Sequence, residues 1–253
     1  MHPPIDYESS EEALDRAVQL LRPAKAVAVL TGAGISAESG LATFRGAGGL
    51  WEGHRVEDVA TPRAFLRDPE LVWRFYNLRR ANLAAVKPNP GHLALVELEN
   101  RLGAGFTLVT QNVDGLHQAA GNKNVLEIHG TLRRVRCVCC ERVTDHGVEP
   151  LADLPHCAAC GALLRPDVVW FEEPLPTDIW DRSVSAAASC DCFLVVGTSA
   201  VVYPAAGLID VARMDGADVI EANLDRSAAS SRVDVLLLGP SGTTLPELIK
   251  RLH

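Results

Sequence analysis

The sequence has no long hydrophobic run, no low-complexity tract and no internal repeat at the period of a solenoid. Its longest apolar stretches, such as 26–30 and 193–196, are far shorter than the roughly 20 residues that a membrane-spanning helix needs. No charged segment leads into an apolar stretch near the N-terminus, so the sequence predicts no secretory signal. We therefore expect a cytoplasmic protein without a membrane partner.

Basic residues are also scarce relative to acidic ones. The chain has 24 lysines and arginines against 32 aspartates and glutamates, a net charge of −8. This balance argues against a specific nucleic-acid partner, because a phosphate backbone is repelled by acidic groups. An acidic surface suits lysine-rich protein partners instead. With 253 residues, 47% of them hydrophobic, the chain can bury one large core with a small satellite, or form two modest domains.

Seven cysteines in a chain without a predicted signal peptide favour metal binding or buried thiols over disulfides. Four of them form two C-x2-C pairs, Cys137 with Cys140 and Cys157 with Cys160, a spacing typical of a zinc ribbon. Four thiolates close a tetrahedral site and leave no position for water, so we predict one structural Zn²⁺. Cys139 lies beside the first pair, where we expect it to be a bystander, with exchange for one of the four ligands as the alternative.

Short apolar runs alternate with helical segments along most of the chain. Strands are predicted at 26–30, 106–110, 125–129, 168–171, 193–196, 218–222 and 235–238. Helices are predicted after Asp68-Pro69, at 90–101 after Asn89-Pro90, at 180–189 and at 204–215. This alternation predicts an α/β fold with a mostly parallel sheet that binds ligands at the C-terminal ends of its strands. The cysteine-rich segment interrupts the alternation and is therefore predicted to be an insertion.

The first predicted strand runs into the turn Gly32-Ala33-Gly34. Glycines allow a dinucleotide phosphate to approach the backbone, and the N–H groups at the start of a following helix face the anion. The turn is not the G-x-G-x-x-G fingerprint, because the next glycine is Gly40 and no acidic residue ends a strand about twenty residues later. On this feature alone, a tight structural turn remains an alternative.

Longer motifs follow one another along nearly the whole chain. They are Gly32–Gly40, Thr43-Phe44-Arg45, 110–117, 127–130, the cysteine pairs, Arg165-Pro166, Gly197-Thr198-Ser199, Asn223-Leu224-Asp225 and 239–246. In order and spacing these motifs resemble the sirtuin family. The resemblance implies an NAD-dependent protein-lysine deacylase on a Rossmann-like parallel sheet with a small inserted zinc-binding lobe. We expect a single catalytic domain, 1–253, whose lobe comes from insertions at about 42–88 (helical) and 131–165 (zinc ribbon).

The same resemblance implies which residues contact NAD. The glycine-rich loop would hold the pyrophosphate, a mobile loop with Phe44 and Arg45 would close over the cofactor, and strand-end residues would bind the adenosine. The implied contacts are Gly32, Ala33, Gly34, Ile35, Ser36, Glu38, Thr43, Phe44, Arg45, Trp51, Gln111, Asn112, Val113, Asp114, Gly197, Thr198, Ser199, Asn223, Leu224, Asp225 and Ser241. Without the family context, Asn112 and Asp114 are also compatible with a simple turn after a strand.

His129 matches the family's catalytic histidine, with Asn112 and Asp114 beside the nicotinamide ribose. In the implied reaction, the acyl-lysine carbonyl oxygen attacks the anomeric carbon of that ribose and expels nicotinamide. A general base then takes a proton from a ribose hydroxyl, and water finally releases lysine and O-acyl-ADP-ribose. Imidazole suits this role because its ordinary pKa lies near the operating pH. A structural role for a histidine at a strand end is the alternative.

Tyr76 and Arg79 are three residues apart on a predicted helix and therefore share a face. Together with 43–49, the pair resembles the sirtuin subgroup that prefers succinyl- and malonyl-lysine. Arginine can bind a terminal carboxylate bidentately, and tyrosine adds a hydroxyl donor. We therefore predict a desuccinylase and demalonylase that also removes acetyl groups. A surface arginine beside a half-buried tyrosine is the alternative interpretation.

The family binds the substrate peptide as an added strand. The implied peptide contacts in this chain are Val169, Phe171, Val201 and Val202. The chain departs from the family in this region, because it has Phe171-Glu172-Glu173 where Phe-Gly-Glu is usual. If Glu172 must adopt a glycine-like φ, the cost is on the order of 1 kcal/mol. Otherwise it still adds bulk and negative charge to the peptide groove.

Two other functions compete with deacylation. Mono-ADP-ribosyl transfer to protein would use the same cofactor. A zinc-ribbon or NAD-sensing module with little catalysis would use the same fold, although His129 beside intact Asn112 and Asp114 argues against it.

Overall fold

A computed structural model describes residues 10–42, 50–51 and 53–252, excluding the side chains of Ser10, Leu50 and Trp51. The helices are α1 (Ser10–Leu21), α2 (Gly34–Ala37), α3 (Val56–Val59), α4 (Pro62–Arg67), α5 (Pro69–Ala84), α6 (Pro90–Leu102), α7 (Leu116–Ala120), α8 (Thr177–Ser189), α9 (Gly207–Met214) and α10 (Ser241–Lys250), with a 3-10 turn at Gly103–Gly105. The strands are β1 (Val27–Thr31), β2 (Leu50–Trp51), β3 (His54–Arg55), β4 (Phe106–Thr110), β5 (Val125–Glu127), β6 (Gly130–Cys137), β7 (Val143–Asp145), β8 (Leu164–Val168), β9 (Cys192–Val196), β10 (Asp218–Asn223) and β11 (Val235–Leu238).

Six parallel strands form the main sheet in the order β11-β10-β9-β1-β4-β5. Thr31 at the end of β1 is in register with Thr110 of β4 and Val196 of β9, so three strand ends lie at one level. The chain continues from β1 to one side of the sheet and later returns to the other side. This reversal creates a switch point next to β1, which is where parallel α/β sheets bind ligands.

Helices cover both faces of the sheet, which explains why the strands are apolar without alternation. On one face, Val29 of β1 packs in a cluster that includes Leu95 of α6 and Leu248 of α10. On the other face, Leu30 packs in a cluster that includes Ile209 of α9. Burial of each aliphatic side chain of this kind stabilises the fold by about 1.5–3 kcal/mol relative to an exposed one.

Of the helices that the structure describes, none combines the length and the apolar character that a membrane crossing requires.

The two predicted Asx-proline helix starts are confirmed. Asp68 Oδ1 accepts a hydrogen bond from the Leu71 N–H at 2.9 Å, and Pro69 opens α5. Asn89 Oδ1 accepts from the Gly91 N–H at 2.9 Å in front of α6. The Asn89 side chain also donates to the Ile35 carbonyl at 2.7 Å, which fastens the start of α6 to α2.

The helices α3–α5 and the antiparallel sheet β7-β6-β8 share a third hydrophobic cluster. Trp73 of α5 and Val135 of β6 are both completely buried in it. Arg80 of α5 is buried as well, and its guanidinium donates to the carbonyls of Leu132 and, at 2.9 Å, Glu149. The segments predicted as the small lobe therefore pack on each other, while the boundaries 42–88 and 131–165 stay a prediction.

The strand predicted at 168–171 is wrong, because β8 ends at Val168. Beyond it, the Val169 N–H donates to the His129 carbonyl and the Phe171 N–H to the Ala60 carbonyl, at 2.9 and 3.0 Å. Because the two acceptors belong to different segments, residues 169–171 do not pair with a neighbouring strand. The apolar pattern of 168–171 reflects burial of alternate residues in a loop that crosses the third cluster, which sequence periodicity does not distinguish from a strand.

The other predicted strands and the four predicted helices are present, with β4 and β11 at the predicted bounds and the other strands shifted at one or both ends. The largest strand difference is at 125–129, where β5 ends at Glu127. Gly130 has φ +74°, and a Cβ there would lie 2.1 Å from the Asp167 carbonyl oxygen, so the chain turns tightly between β5 and β6. His129 thus lies in a turn and not within a strand.

Candidate active site

The loops that follow β1, β4, β9 and β10 meet above the switch point of the sheet. They line a cavity of about 580 Å³, within the size range of small-molecule and cofactor sites. The other walls come from α5 and from the segment that follows β8. The cavity therefore lies between the main sheet and the third hydrophobic cluster, as expected for a ligand site at strand C-terminal ends.

The turn after β1 packs directly against the turn after β9. The Gly34 N–H donates to the Gly197 carbonyl at 2.7 Å. A Cβ on Gly34 would lie 2.7 Å from the Gly197 Cα, and a Cβ on Gly197, which has φ +58°, would lie 2.3 Å from the Ile35 nitrogen. Glycine is therefore required by the loop packing itself. The sequence interpretations of a phosphate turn and of a structural turn are compatible here.

A hydrogen-bonded polar network forms the floor of the cavity. Asn112 donates through Nδ2 to the Gly32 carbonyl at 3.1 Å and to Ser36 Oγ at 3.2 Å. Ser36 Oγ donates to Asp114 Oδ2 at 2.8 Å, and the Leu116 N–H donates to Asp114 Oδ1 at 2.9 Å. Burial raises the pKa of Asp114, an effect that these two hydrogen bonds partly offset.

His92 extends this network behind Ser36 and was not among the residues predicted from the sequence. The Asn89 N–H donates to His92 Nδ1 at 3.3 Å, so the ring proton is on Nε2 and faces Ser36 Oγ at 3.4 Å. Burial lowers the pKa of His92 to about 4, which keeps the ring neutral. Its position three residues after the Asn89 cap made it look like an ordinary residue of the first helical turn.

His129 lies on the cavity wall with one defined tautomer. Its Nδ1 is 3.0 Å from the Gln111 carbonyl, which accepts only, so Nδ1 carries the proton and Nε2 keeps its lone pair. Burial lowers the pKa of His129, while the bond to the carbonyl raises it to a lesser degree. A neutral imidazole with an unprotonated Nε2 is the form that a general base requires.

Another part of the cavity wall is formed by the loops after β9 and β10. Gln111 donates through Nε2 to Thr198 Oγ1 at 3.1 Å, and Asn223 donates through Nδ2 to the Thr198 carbonyl at 2.7 Å. Behind Asn223, the fully buried carboxylate of Glu221 accepts from Asn223 Nδ2 at 3.2 Å and from Ser230 Oγ at 2.6 Å. These bonds hold the loops that the resemblance assigns to the adenosine.

The structure brings most of the implied cofactor contacts to one cavity. Described residues of that set that line it are Gly32, Ala33, Gly34, Ser36, Glu38, Gln111, Asn112, Val113, Asp114, Gly197, Thr198, Ser199, Asn223, Leu224, Asp225 and Ser241. Ile35 is fully buried and does not line the cavity. Glu38 lines it, but its carboxylate accepts from the Gly242 N–H at 2.8 Å, at the start of α10. Thr43, Phe44, Arg45 and the side chain of Trp51 lie outside the described residues.

Tyr76 and Arg79 line the cavity on the side of α5. The Tyr76 ring is buried, and its hydroxyl oxygen accepts from Trp170 Nε1 at 2.9 Å. The hydroxyl proton of Tyr76 is therefore available to another acceptor. The Arg79 guanidinium lies 5.7 and 5.8 Å from the ring centroids of Phe75 and Tyr76. Trp170 was missed because it falls in the stretch interpreted as a strand.

The segment after β8 has an unusual backbone at Glu172, where φ is +76°. Glu172 pairs with Arg63 of α4, while Glu173 forms a two-point ion pair with Arg165 at 2.6 and 2.8 Å. Arg165 stacks on the Trp170 ring at 3.6 Å. The glycine-like φ considered from the sequence is thus present, with a strain of about 1 kcal/mol relative to glycine.

The implied peptide contacts are divided between the cavity and its surroundings. Val169, Phe171 and Val202 line the cavity, whereas Val201 does not and is 61% exposed. Tyr203, at 66% exposure, lines the cavity in its place and was not predicted.

The four paired cysteines converge at the far end of the third cluster. The Sγ atoms of Cys137, Cys140, Cys157 and Cys160 all lie within 4.8 Å of one another. Distances of 3.4 and 3.7 Å between pairs are close to the edge of about 3.8 Å that follows from tetrahedral Zn–S bonds of about 2.3 Å. The residues present therefore fit one zinc ion with four thiolate ligands. Cys139 is exposed and lies outside this group.

A family model described as the Sir2 family matches residues 32–204, which is more than half of the chain. The chain belongs to the Sir2 family. The predicted sirtuin membership and the predicted fold class, a Rossmann-like sheet with an inserted cysteine cluster, are both confirmed.

Relatives of this Sir2 family chain match it over almost its whole length. It is 48% identical to a Thermococcus kodakarensis NAD-dependent protein deacylase, covering 94% of this chain and 95% of that protein. It is 44% identical to the mitochondrial NAD-dependent protein deacylase sirtuin-5 of Canis lupus familiaris, covering 91% and 83%. A crystal structure of a Sir2 homologue–NAD complex superimposes with a TM-score of 0.88 at 43% identity, covering 94% and 93%.

We predict that replacing Cys160 with Ala abolishes zinc binding and lowers the melting temperature, because metal binding energy is folding energy in such a site. Cys139→Ala is the matched control, which we expect to keep one zinc per chain. Zinc content by elemental analysis and thermal unfolding measure both effects. A metal-free Cys160→Ala protein that melts like the wild type would refute a structural zinc.

Proposed function

We propose that this Sir2 family chain removes acyl groups from protein lysines with NAD as co-substrate, yielding nicotinamide, O-acyl-ADP-ribose and free lysine. Family membership and relatives named as NAD-dependent protein deacylases support this activity. The observation that carries it is the neutral His129, held with a free Nε2 on the same cavity as Asn112 and Asp114. The proposed substrates are acylated cytoplasmic proteins.

The cavity is proposed to bind NAD in one orientation. The switch-point turn around Gly32 and Gly34 is the proposed site of the pyrophosphate, because its glycines let the backbone approach a phosphate closely. The loops with Thr198 and Asn223 take the adenosine side. This orientation places the nicotinamide ribose near Asn112 and leads to His129. When bound, NAD supplies the anomeric carbon that the acyl oxygen attacks.

Asn112 and Asp114 are proposed to position the nicotinamide ribose. Both Nδ2 protons of Asn112 go to protein acceptors, so Oδ1 is the atom left for a ligand. The bonds from Ser36 and the Leu116 N–H hold the Asp114 carboxylate in one orientation. A preorganised polar floor loses little entropy when the ribose binds, which favours the reactive geometry.

His129 is proposed to accept a proton from a ribose hydroxyl through Nε2. The Gln111 carbonyl fixes the ring orientation and the tautomer before the substrate arrives. Because burial lowers the pKa of His129, the ring is neutral near pH 7 and ready to act as the base.

The acyl group is proposed to enter the part of the cavity next to α5. The Arg79 guanidinium can pair with a terminal carboxylate, and the Tyr76 hydroxyl proton can be donated because its oxygen already accepts from Trp170. Both groups line the cavity. This arrangement supports activity on succinyl- and malonyl-lysine as well as acetyl-lysine.

The activity is tested directly with acetyl-, succinyl- and malonyl-lysine peptides, each with and without NAD. We expect NAD-dependent release of nicotinamide together with free lysine. Mass spectrometry separates this outcome from mono-ADP-ribosyl transfer, which would leave a modified protein and an intact acyl-lysine. No nicotinamide release from any peptide would indicate a binding module instead.

We predict that His129→Ala keeps the fold and NAD affinity but deacylates about 10²–10⁴-fold more slowly, the usual effect of removing a general base. Steady-state rates, thermal unfolding and NAD titration report on these three properties. Wild-type rates in this variant would mean that another residue is the base.

The pH dependence follows from the same group. Protonation of His129 removes the base, so kcat/KM should fall as the pH decreases through its pKa in the free enzyme. Because that pKa is lowered from 6.5, the acidic limb of the profile should lie below pH 6.5. A limb centred above pH 6.5, measured where the protein stays folded, would contradict the proposed role.

Arg79→Met should lower kcat/KM for succinyl-lysine about tenfold or more, because the succinyl carboxylate loses a charged partner. The corresponding loss of transition-state stabilisation is about 1.5–3 kcal/mol. Deacetylation should change far less. Tyr76→Phe should show the same bias more weakly, and Arg79→Lys should keep part of the preference. The ratio of desuccinylation to deacetylation cancels general damage to the fold or to NAD binding. An equal fall in both activities would make the pair structural.

A further inference from the structure

Glu172 has a backbone conformation that favours glycine and yet carries a charged side chain. It is one of three described non-glycine residues with positive φ, together with Glu141 and Ala200. Glu172 lines the cavity directly after Phe171, in the segment proposed to hold the substrate peptide. A glutamate here therefore has a conformational cost that glycine would avoid.

The ion pair of Glu172 does not compensate for that cost. Its partner, Arg63, has a side chain that is 76% exposed, and the side chain of Glu172 is 47% exposed. Pairs in this environment contribute little to stability, because water and salt screen them and two long side chains must be ordered. Stability thus gives no reason for a carboxylate at this place. Its position on the cavity wall, where it can meet a ligand, does give such a reason.

Three other carboxylates of the cavity wall have protein partners. Glu38 accepts from the Gly242 N–H, and Asp114 accepts from Ser36. Glu173 is held at two points by Arg165. Glu172 differs, because its partner Arg63 is strongly exposed and is not part of the described cavity wall. A cation that enters along the wall can replace Arg63, which then returns to water.

We infer that Glu172 binds a basic side chain next to the acyl-lysine of the substrate, and so selects for lysine- and arginine-rich sequences. The inference rests on the proposed function, since it assigns the flanking residues of the same peptide. Arg63 competes for the carboxylate and limits the size of the effect. Because one exposed ion pair is exchanged for another, we expect an arginine-to-glutamate preference of about two- to fivefold in kcat/KM.

The test uses one acetyl-lysine peptide in which each of the three positions on either side is changed in turn to Arg, Ala or Glu. For the wild type, we expect arginine to be preferred over glutamate at one or more positions. The preference should shrink toward one at high salt, as expected for exposed charges. Glu172→Gln should abolish it, and Arg63→Gln should increase it because the carboxylate loses its competitor.

Glu141→Gln is the matched control, because Glu141 is an exposed glutamate with φ +57° that does not line the cavity. It removes the same charge at a comparable backbone conformation and should leave the preference unchanged. Glu172→Gly removes both charge and strain, and it should also lose the preference while melting at or above the wild-type temperature.

Three outcomes separate this inference from the proposed function. A wild-type enzyme that deacylates every peptide equally well, or a Glu172→Gln variant with the wild-type ratio, overturns the inference and leaves the activity intact. If no peptide is deacylated, the proposed function fails. The role of Glu172 is then decided by the affinities of the same peptides, carrying a fluorescent label and measured by anisotropy. Equal affinities for the Arg and Glu peptides would then overturn it.

Discussion

The close contact between two glycine turns is the constraint on which the site depends. Gly34 and Gly197 approach so closely that neither tolerates a Cβ, and a 2.7 Å hydrogen bond joins them. This contact brings the ends of β1 and β9 together and leaves the Gly32 carbonyl facing Asn112. A larger residue at either glycine would separate the turns and open the floor of the cavity.

The polar network above this contact acts as one unit. Ser36 receives a bond from Asn112 and donates to Asp114, while His92 holds it from behind. Each member orients the next, so the cost of burying these groups is offset by their mutual bonds. The proposed position of the nicotinamide ribose therefore also depends on His92, which does not line the cavity.

The zinc-containing segment contributes to the site through packing. Its strands share a core with α5, and Arg165 joins Glu173 and the Trp170 ring at the cavity wall. Trp170 in turn bonds to the Tyr76 hydroxyl. The acyl recognition proposed near Tyr76 is thus linked to the stability of this segment, although the four cysteines do not line the cavity.

The sequence by itself determined the elements whose cause is local. Proline after an Asx cap set the starts of two helices, apolar runs marked the buried parallel strands, and two C-x2-C pairs indicated the metal cluster. Motif order identified the family and most of the cavity wall. The tertiary structure decided what depends on distant partners. His92 became part of the site through Ser36 and Trp170 through Tyr76, and the pairing of Glu172 with Arg63 exists only in the folded chain. Residues that meet only after folding leave no periodic signal in the chain, so their roles follow from packing and not from pattern.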